Sequence, residues 1–530
     1  MNVYPAHLRG MRPVVWPANR PEPDAAAPWA ALAALTLLAA VCRAVGLNSQ
    51  LWYDEILTLL GYVRMPLGEI LTTYNSQNQH MLYSVLARIS IVAFGDTAWA
   101  LRLPAAVMGV ACIPALYAFA RQAAMRREAL LACALLAVSY HHVWFSQNAR
   151  GYTGLMLATL LAGYHFMRGA REAAWHHWLA FGFWATFGMY VHLSMGFIVA
   201  GMGLVWLWLA SRCFLHRQEN SGDAQTRTVT TLMQPLAGFA LSGILTLLLY
   251  LPVLSQMLGR TVGSVAAAGP GEAVRAEWKN PLWLALETLR GLAGGGGWPM
   301  MTAILLAAGI ALAGMALYWR QDKFAVALML LPGIVTAVAL LALSRNLWPR
   351  FFFFAIGFAF LFLVRGAMWL GEASARVLPP PALGGAARGT AHGTVLVALM
   401  ILASAWQMRA AWIYPKQDYR GAMEFIEREA QAGDTVLLVG LTRIPYQKYY
   451  QQDWTFVETP EALRAAEANS MSGRVWVLYT IPIYDESRYP ALWNVLKTEY
   501  TTVKVCRGTM GGGEIYLCRN QRERGVEFKF

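Results

Sequence analysis

Residues 29–58, WAALAALTLLAAVCRAVGLNSQLWYDEILT, join an apolar segment of membrane-spanning length to two adjacent carboxylates, Asp54 and Glu55. A helix needs about 20 mostly apolar residues to cross a bilayer. The carboxylates follow only a few residues beyond that segment, where an acidic group loses hydration without gaining packing. The pair is therefore a candidate functional site. Taken alone, it is also compatible with a solvated loop.

Composition places the chain among polytopic membrane proteins. Hydrophobic residues make up 57% of the 530 residues and charged residues 14%, whereas soluble domains carry about 25% charged residues. Prolines at positions 21, 23 and 28 and the lack of a small-residue cleavage site argue against a removed signal peptide, so we expect the first span to remain as an anchor. About eleven spans are predicted from the apolar runs. They cover residues 29–47, 99–121, 129–145, 152–168, 178–190, 192–211, 232–251, 300–319, 324–343, 351–366 and 394–408.

Positive charge in the short loops sets the expected orientation, because cytoplasmic loops retain lysine and arginine. With the N-terminus inside, five basic loops become cytoplasmic; they lie at residues 121–127, 168–171, 212–227, 320–323 and 365–388. This orientation requires the apolar segment 80–94 to lie at the outer interface, which its length of about 15 residues permits. The polar clusters then share the outer face: Asp54 and Glu55, residues 146–150, His192, and the loops 254–298 and 344–350.

Residues 412–530 are predicted to form a small extracytoplasmic α/β domain after a transmembrane domain of residues 1–411. Residues 419–431 have the spacing of an amphipathic helix, and residues 434–440 and 474–480 resemble short buried strands. Alternation of helices and strands favours an α/β fold. The region contains no dinucleotide, Walker or zinc-binding spacing. Positioning of a partner or binding of an acceptor is therefore a more plausible role for it than chemistry.

A hairpin is predicted to close this domain through residues 510–513. Cys506 and Cys518 are equidistant from Gly512, so in a symmetric hairpin they would face one another across the strands. An extracytoplasmic compartment would let them oxidise. A disulfide and two reduced thiols, one on each strand, are both compatible with the sequence.

An ordered series of short motifs runs along the chain. The series comprises WYDE at 52–55, QHMLY at 79–83, FGD at 94–96, ALRLP at 100–104, SQNARGY at 146–152, YVH at 190–192, Arg350 before an aromatic run, KQDYR at 416–420 and GD at 433–434. It resembles the GT-C-type glycosyltransferases, the superfamily of the protein O-mannosyltransferases and the bacterial lipid A aminoarabinose transferases. The resemblance covers nearly the whole chain and is densest between residues 51 and 152.

The resemblance implies an inverting hexosyl- or pentosyltransferase of the bacterial inner membrane. Its donor would be a sugar linked to a polyprenyl phosphate. Its acceptor would be membrane-associated: lipid A, another surface glycan, a lipid or a protein. Membrane lipids would be further partners, and the C-terminal domain would be periplasmic.

The same resemblance implies that Asp54 is the general base that takes the acceptor's proton. Glu55 would orient the site, although it could be the base instead. Guanidinium groups suit the leaving phosphate, because they stay charged and bind phosphate oxygens bidentately. Arg150 and Arg350 are the first candidates.

Arg345 and Arg102 are further candidates for contact with the phosphate. Snorkelling to the headgroups is the alternative for Arg345 and Arg350, and an ion pair with Asp96 is the alternative for Arg102. Substrate binding is also predicted for a polar set consisting of His80, Tyr83, Gln147 and His192. A bracing role for His80 and a packing role for His192 remain open.

No cofactor is predicted. Relatives often carry an acidic residue where this chain has Asn148, so a divalent metal would lack a ligand here and metal-independent transfer is favoured. The net charge of +13 is mostly accounted for by the loops that set topology, so nucleic-acid binding is not expected. A transporter or flippase of a lipid-linked saccharide is the alternative function, but the internal repeat common in transporters is not evident. The glycine-rich loop 254–298 is either a mobile lid over the substrate or a disordered connection.

Overall fold

The structure is a computed structural model. It describes residues 28–76, 78–172, 174–215, 223–259, 297–343, 347–377, 385–470 and 474–520, together with residues 282, 286, 289 and 345. The N-terminal residues 1–27 and most of the predicted lid lie outside the described residues.

The membrane part is built from helices. They are α1 (Trp29–Ala44), α2 (Tyr53–Thr58), α3 (Leu67–Thr72), α4 (Met81–Phe94), α5 (Ala98–Ala120), α6 (Arg126–Ala137), α7 (Tyr140–Ser146), α8 (Tyr152–Glu172), α9 (Trp175–Val191), α10 (Met195–Leu215), α11 (Asp223–Tyr250), α12 (Gly297–Gln321), α13 (Lys323–Ala342), α14 (Ile356–Val377) and α15 (Gly385–Ile413). A 3₁₀ segment, Pro349–Ala355, leads into α14.

Each predicted span contains helix, but not every helix is long enough to cross a membrane unaided. Seven of the described helices are long and apolar enough to do so, or eight if α6 and α7 form one broken span. Helix α1 has 16 residues and α9 has 17. Helix α4, with 14 residues, is also short, which agrees with the expectation that residues 80–94 do not cross on their own.

The predicted span over residues 129–145 consists of two helices, α6 and α7, which meet at a bend of 59°. Arg43 of α1 is buried at this break and donates to carbonyls at the end of α6. It donates to the Ala137 carbonyl at 3.0 Å and the Leu136 carbonyl at 3.3 Å. It also donates to Nδ1 of His142 at 2.5 Å and to Oγ of Ser146 at 3.2 Å. The bend directs the end of α7, and with it residues 146–150, towards α2.

Replacing Arg43 by leucine should destabilise the fold, since it removes the donor to the Ala137 carbonyl, to Nδ1 of His142 and to Oγ of Ser146, all of them buried. Each unsatisfied polar group costs about 1–3 kcal/mol, so we expect a loss of roughly 3 kcal/mol or more. Thermal unfolding of the full chain in detergent measures it. The matched control is Arg88→Leu, which removes one exposed hydrogen bond of 3.4 Å. Equal melting temperatures for the two variants would contradict this account of the bend.

The C-terminal part is an α/β domain, as predicted. Its elements are α16 (Tyr419–Glu429), β1 (Thr435–Leu438), β2 (Thr455–Phe456), α17 (Pro460–Asn469), β3 (Val475–Thr480), α18 (Pro482–Arg488), α19 (Pro490–Glu499), β4 (Tyr500–Cys506) and β5 (Ile515–Asn520). The sheet has the order β2-β1-β3-β5-β4. Strand β1 pairs in parallel with β2 and β3, while β5 runs antiparallel to β3 and β4.

The hairpin of β4 and β5 has a different register from the symmetric one that was expected. Cys506 pairs with Ile515, and Cys518 pairs with Thr502. The register is therefore centred near Met510 rather than Gly512, and it does not bring the thiols opposite each other. Both cysteines are free.

Asp485 of α18 is a buried carboxyl without a hydrogen-bond partner. Its exposed fraction is 0%, and neither carboxyl oxygen is bonded. A Cβ at Gly440, where φ is +61°, would lie 1.8 Å from Oδ1, so only glycine fits there. Burial raises the pKa of Asp485 to about 8.

This carboxyl should make the domain lose stability as the pH rises. The folded state holds the proton more tightly than the unfolded chain, so stability falls between about pH 4 and pH 8 and is constant above that range. Asp485→Asn should therefore protect β3 from hydrogen exchange relative to wild type, with a gain of about 2–5 kcal/mol above pH 8 and little at pH 5. Asp434→Asn is the control. Asp434 pairs with Arg474 at 2.7 Å, so this variant should lose stability where Asp485→Asn gains it. A gain that does not depend on pH would count against the titration of Asp485.

Candidate functional site

The two adjacent carboxylates of α2 have opposite environments. The side chain of Asp54 is 14% exposed, whereas that of Glu55 is fully buried. Neighbouring residues on a helix point in different directions, so Asp54 faces the open side while Glu55 faces the core. Oε2 of Glu55 accepts the backbone N–H of Trp52 at 3.3 Å and thereby caps the start of α2.

Glu55 is held by two cations and a backbone amide. Arg102 donates to Oε1 at 2.7 Å and to Oε2 at 2.5 Å, and the Ala149 N–H donates to Oε1 at 2.7 Å. The ammonium of Lys416 lies 3.9 Å from Oε2. Burial alone would raise the pKa of Glu55, but the charges of Arg102 and Lys416 hold it below its usual value. Glu55 is thus a fixed anion that joins α2, α5 and the loop 146–150.

Arg102 has no donor left for a ligand in this arrangement. Besides Glu55, its guanidinium donates to backbone carbonyls of the loop 47–50 at 2.8–3.0 Å. The expected alternative, an ion pair with Asp96, is wrong, because Asp96 pairs with Arg64 at 2.8 Å. The structure buries Arg102 completely and does not bring it to the open cluster around Asp54.

Arg150 and Arg350 are the cations that flank the open side. Nη1 of Arg350 lies 3.7 Å from Oδ2 of Asp54, and Nη2 of Arg150 donates to Oδ1 of Asn78 at 2.7 Å. The Nε atoms of both arginines are buried and have no hydrogen-bond partner. A buried donor that lacks a partner is costly, and two such donors on cations form an incomplete site that an anion would complete.

His80 and His192 lie together at this cluster, with ring centroids 4.5 Å apart. The Gly151 N–H donates to Nδ1 of His80 at 3.2 Å, and the Ser194 N–H donates to Nδ1 of His192 at 3.2 Å. An Nδ1 that accepts a hydrogen bond cannot carry the proton, so each neutral ring carries it on Nε2. His80 thus braces the loop 146–151, and Nε2 of His192 is a neutral donor.

Both imidazoles are neutral at physiological pH. Burial and the charge of Arg150 lower the pKa of His192 to about 3. The same two causes hold the pKa of His80 well below its usual value, and Arg350 adds to the effect. The positive charge that acts on the two rings therefore comes from the guanidinium groups of Arg150 and Arg350.

The other residues predicted to bind substrate are Tyr83, Gln147 and Arg345. The Tyr83 hydroxyl is buried and donates to the Leu101 carbonyl at 2.6 Å. The Gln147 amide donates to the Arg43 carbonyl at 3.0 Å, which ties the loop 146–150 to α1. Arg345 follows α13 and is half-buried. Tyr83 and Gln147 thus shape the scaffold and do not belong to the open cluster.

Lys416 and Gln417 support the site, although they were not among the predicted site residues. The Lys416 ammonium donates to the Gln147 carbonyl and lies 5.2 Å from the centre of the Trp144 ring. Burial lowers the pKa of Lys416 to about 7, against the opposing effect of Glu55. The Gln417 amide oxygen accepts the N–H of Tyr53 at 2.9 Å. Their sequence signal is the KQDYR motif at residues 416–420, which by itself indicates only the start of the C-terminal domain.

Hydrogen bonds also link the site to the C-terminal domain and its sheet. The amide nitrogen of Gln417 donates to the Thr480 hydroxyl and the Gly513 carbonyl, each at 3.2 Å. Trp144 of α7 donates to the Thr509 hydroxyl at 3.0 Å. The domain therefore packs on the same end of the helical bundle as α2 and fixes the first turn of that helix.

An apolar groove of about 350 Å³ lies beside the cluster, between α9, α10 and α11. Leu193, directly after His192, is part of its wall. Other lining residues are Met189, Phe239, Leu247, Tyr250 and Met257. The groove offers an apolar surface next to a cationic one.

Comparison with known proteins agrees with this architecture. Residues 79–219 match the family described as dolichyl-phosphate-mannose-protein mannosyltransferase. The chain is similar to the oligosaccharyltransferase AglB from Archaeoglobus fulgidus, solved in complex with an inhibitory peptide and a dolichol-phosphate, with a TM-score of 0.52, 11% identity and coverage of 92% of this chain and 74% of that chain. It is also similar to apo ArnT from Cupriavidus metallidurans, with a TM-score of 0.48, 11% identity and coverage of 93% and 98%. Among curated protein sequences, none matches the chain.

The similarity to AglB confirms the predicted fold class: the protein is a multi-span helical membrane protein with the GT-C fold and a small C-terminal α/β domain. The family match over residues 79–219 and this shared fold support a membrane glycosyltransferase.

Replacing the two carboxylates by amides should separate their roles. Glu55→Gln leaves Arg102 and Lys416 buried without a counter-charge, and breaking a buried pair costs about 3–5 kcal/mol. Asp54→Asn removes only a longer, partly exposed contact. We therefore expect a large drop in the melting temperature of the full chain in detergent for Glu55→Gln and almost none for Asp54→Asn. Similar drops for both variants would show that Glu55 does not anchor the fold.

Proposed function

We propose that this protein is an inverting glycosyltransferase that transfers a sugar from a polyprenyl-phosphate carrier to a membrane-associated acceptor. The observation that carries the proposal is the open cluster: a partly exposed carboxylate, Asp54, lies 3.7 Å from Arg350. Arg350 and Arg150 each have a buried, unpaired Nε donor, and the charges of both act on His80 and His192. A carboxylate and an anion site in one cluster are what displacement at a phosphate-linked carbon requires. The dolichol-phosphate in the AglB structure supports a lipid phosphate as the anion.

In this mechanism Asp54 takes the proton of the acceptor hydroxyl. The hydroxyl oxygen bonds to the anomeric carbon from the face opposite the phosphate, and the bond between that carbon and the phosphate oxygen breaks. The electron pair of the broken bond stays on the phosphate. Arg150 and Arg350 stabilise this charge, and Nε2 of His192 supplies a neutral donor.

No divalent metal is needed in this scheme, because the two guanidinium groups supply the positive charge at the leaving group. The prenyl chain of the donor would lie in the apolar groove beside His192, where its burial contributes affinity. Glu55, Arg102 and Lys416 act as positioning residues, since they hold α2 and the loop 146–150 without facing the open side.

The proposed setting is the bacterial inner membrane, with the cluster and the C-terminal domain on the periplasmic side. The transmembrane domain, residues 1–411, would carry the chemistry. Residues 412–530 would help to position the acceptor, which can be lipid A, another surface glycan, a lipid or a protein. Its essential group is a nucleophilic hydroxyl.

A transfer assay tests the proposal. The purified full chain in lipid nanodiscs is supplied with one labelled polyprenyl-phosphate sugar at a time and with membrane extract, and label is followed into the acceptor fraction. We expect transfer from at least one donor and a loss of about 10²–10⁴-fold in Asp54→Asn, the usual contribution of a general base.

The arginines give a second readout in the same assay. Arg150→Gln and Arg350→Gln should each lower the rate, and Arg350→Lys should not restore it, since an ammonium lacks the bidentate geometry of guanidinium. Asp96→Asn is the matched control, because Asp96 forms an exposed ion pair with Arg64 away from the open cluster. Transfer that continues unchanged in Asp54→Asn, or no transfer from any carrier, would overturn the proposal.

A further inference from the structure

The ion pair between Asp54 and Arg350 blocks the group that the proposed mechanism needs as a base. Among the described residues, Arg350 is the cation within ion-pair distance of Asp54, with Nη1 3.7 Å from Oδ2. The structure therefore holds Asp54, the proposed base, in an ion pair.

This pair differs from the permanent ion pair next to it. Arg102 binds both oxygens of Glu55 through hydrogen bonds of 2.7 and 2.5 Å, and both side chains are fully buried. Arg350 approaches Asp54 with one nitrogen at 3.7 Å, its side chain is 37% exposed, and its Nε has no partner. The pair of Glu55 and Arg102 is therefore a permanent part of the fold. The pair of Asp54 and Arg350 makes no hydrogen bond and leaves the Nε donor of Arg350 unused.

A phosphate is a stronger partner for Arg350 than Asp54 is. Its oxygens can take two parallel hydrogen bonds from a guanidinium, so they would satisfy the unused Nε together with a terminal nitrogen. Arg150, whose Nε is also unpaired, would contribute to the same anion. The rings of Trp348 and Phe351 lie 5.6 and 5.8 Å from the Arg350 guanidinium carbon and would keep it over the site during the exchange.

We propose that the donor's phosphate takes Arg350 away from Asp54 and thereby frees the carboxylate to act as the base, so that the donor binds before the acceptor is activated. This inference rests on the proposed function and adds an order of events to it. No covalent bond changes in the step: one ion pair is exchanged for another.

A double-mutant cycle on lipid-phosphate binding tests the exchange without knowledge of the acceptor. The probe is undecaprenyl phosphate, titrated into the full chain in nanodiscs for wild type, Asp54→Asn, Arg350→Gln and the double variant. If the phosphate must compete with Asp54 for Arg350, Asp54→Asn should bind at least about twofold more tightly, since contacting pairs couple by this much or more. Arg350→Gln should bind more weakly. The double variant should bind like Arg350→Gln, because there is no longer a guanidinium to release.

The cycle separates exchange from simple repulsion between two anions. If Asp54→Asn tightens binding equally with and without Arg350, repulsion explains the effect and the exchange is wrong. An unchanged affinity in Asp54→Asn also overturns it. Wild-type protein that does not bind the probe at all overturns the proposed function as well.

Two controls keep the outcome clear. Asp96→Asn removes a carboxylate from the exposed pair with Arg64 and should leave the affinity unchanged. Arg350→Lys keeps the charge in case the glutamine variant does not fold. In that background Asp54→Asn should still tighten binding, but less than in wild type; no tightening there contradicts the exchange.

Discussion

A fully buried carboxylate, Glu55, is the interaction on which the rest of the site depends. It binds Arg102 of α5, the amide of Ala149 in the loop after α7, and the ammonium of Lys416 at the start of the C-terminal domain. Charges removed from water are tolerated only when they are paired and hydrogen-bonded. This requirement brings two helices, one loop and one domain to a common point, and Asp54 is carried to the open side because it is the next residue along α2.

The division of labour between adjacent carboxylates follows from their surroundings. Glu55 has several donors at hydrogen-bond distance and no exposed surface, so its charge stabilises the fold. Asp54 has one cation at 3.7 Å and partial exposure. Arg102 and Arg350 differ in the same way: one has its donors committed to the fold, and the other keeps a donor unpaired. The buried residues around Glu55 thus satisfy one another's charges and support an outer group, Asp54, Arg150 and Arg350, in which two Nε donors remain unpaired.

The sequence predicted the features that depend on local pattern. Apolar runs gave the helical segments, the change of period gave the α/β domain, and the motif series gave the fold class. It did not predict the break between α6 and α7, because the donor that satisfies the break, Arg43, lies far away in the sequence. The partner of Arg102 and the role of Lys416 were missed for the same reason, since neither spacing nor hydropathy encodes contacts between distant segments. The hairpin register depends on where the turn is centred, near Met510, and counting residues from Gly512 could not reveal that.

The central claim is that Arg150 and Arg350 form one anion site beside Asp54. The most direct measurement is an experimental structure of the full chain with undecaprenyl phosphate bound in a nanodisc. The account predicts the phosphate within hydrogen-bond distance of both Nε atoms, with the prenyl chain leaving along α10 and α11. A phosphate that lies away from both arginines, with Asp54 facing no ligand, would contradict it.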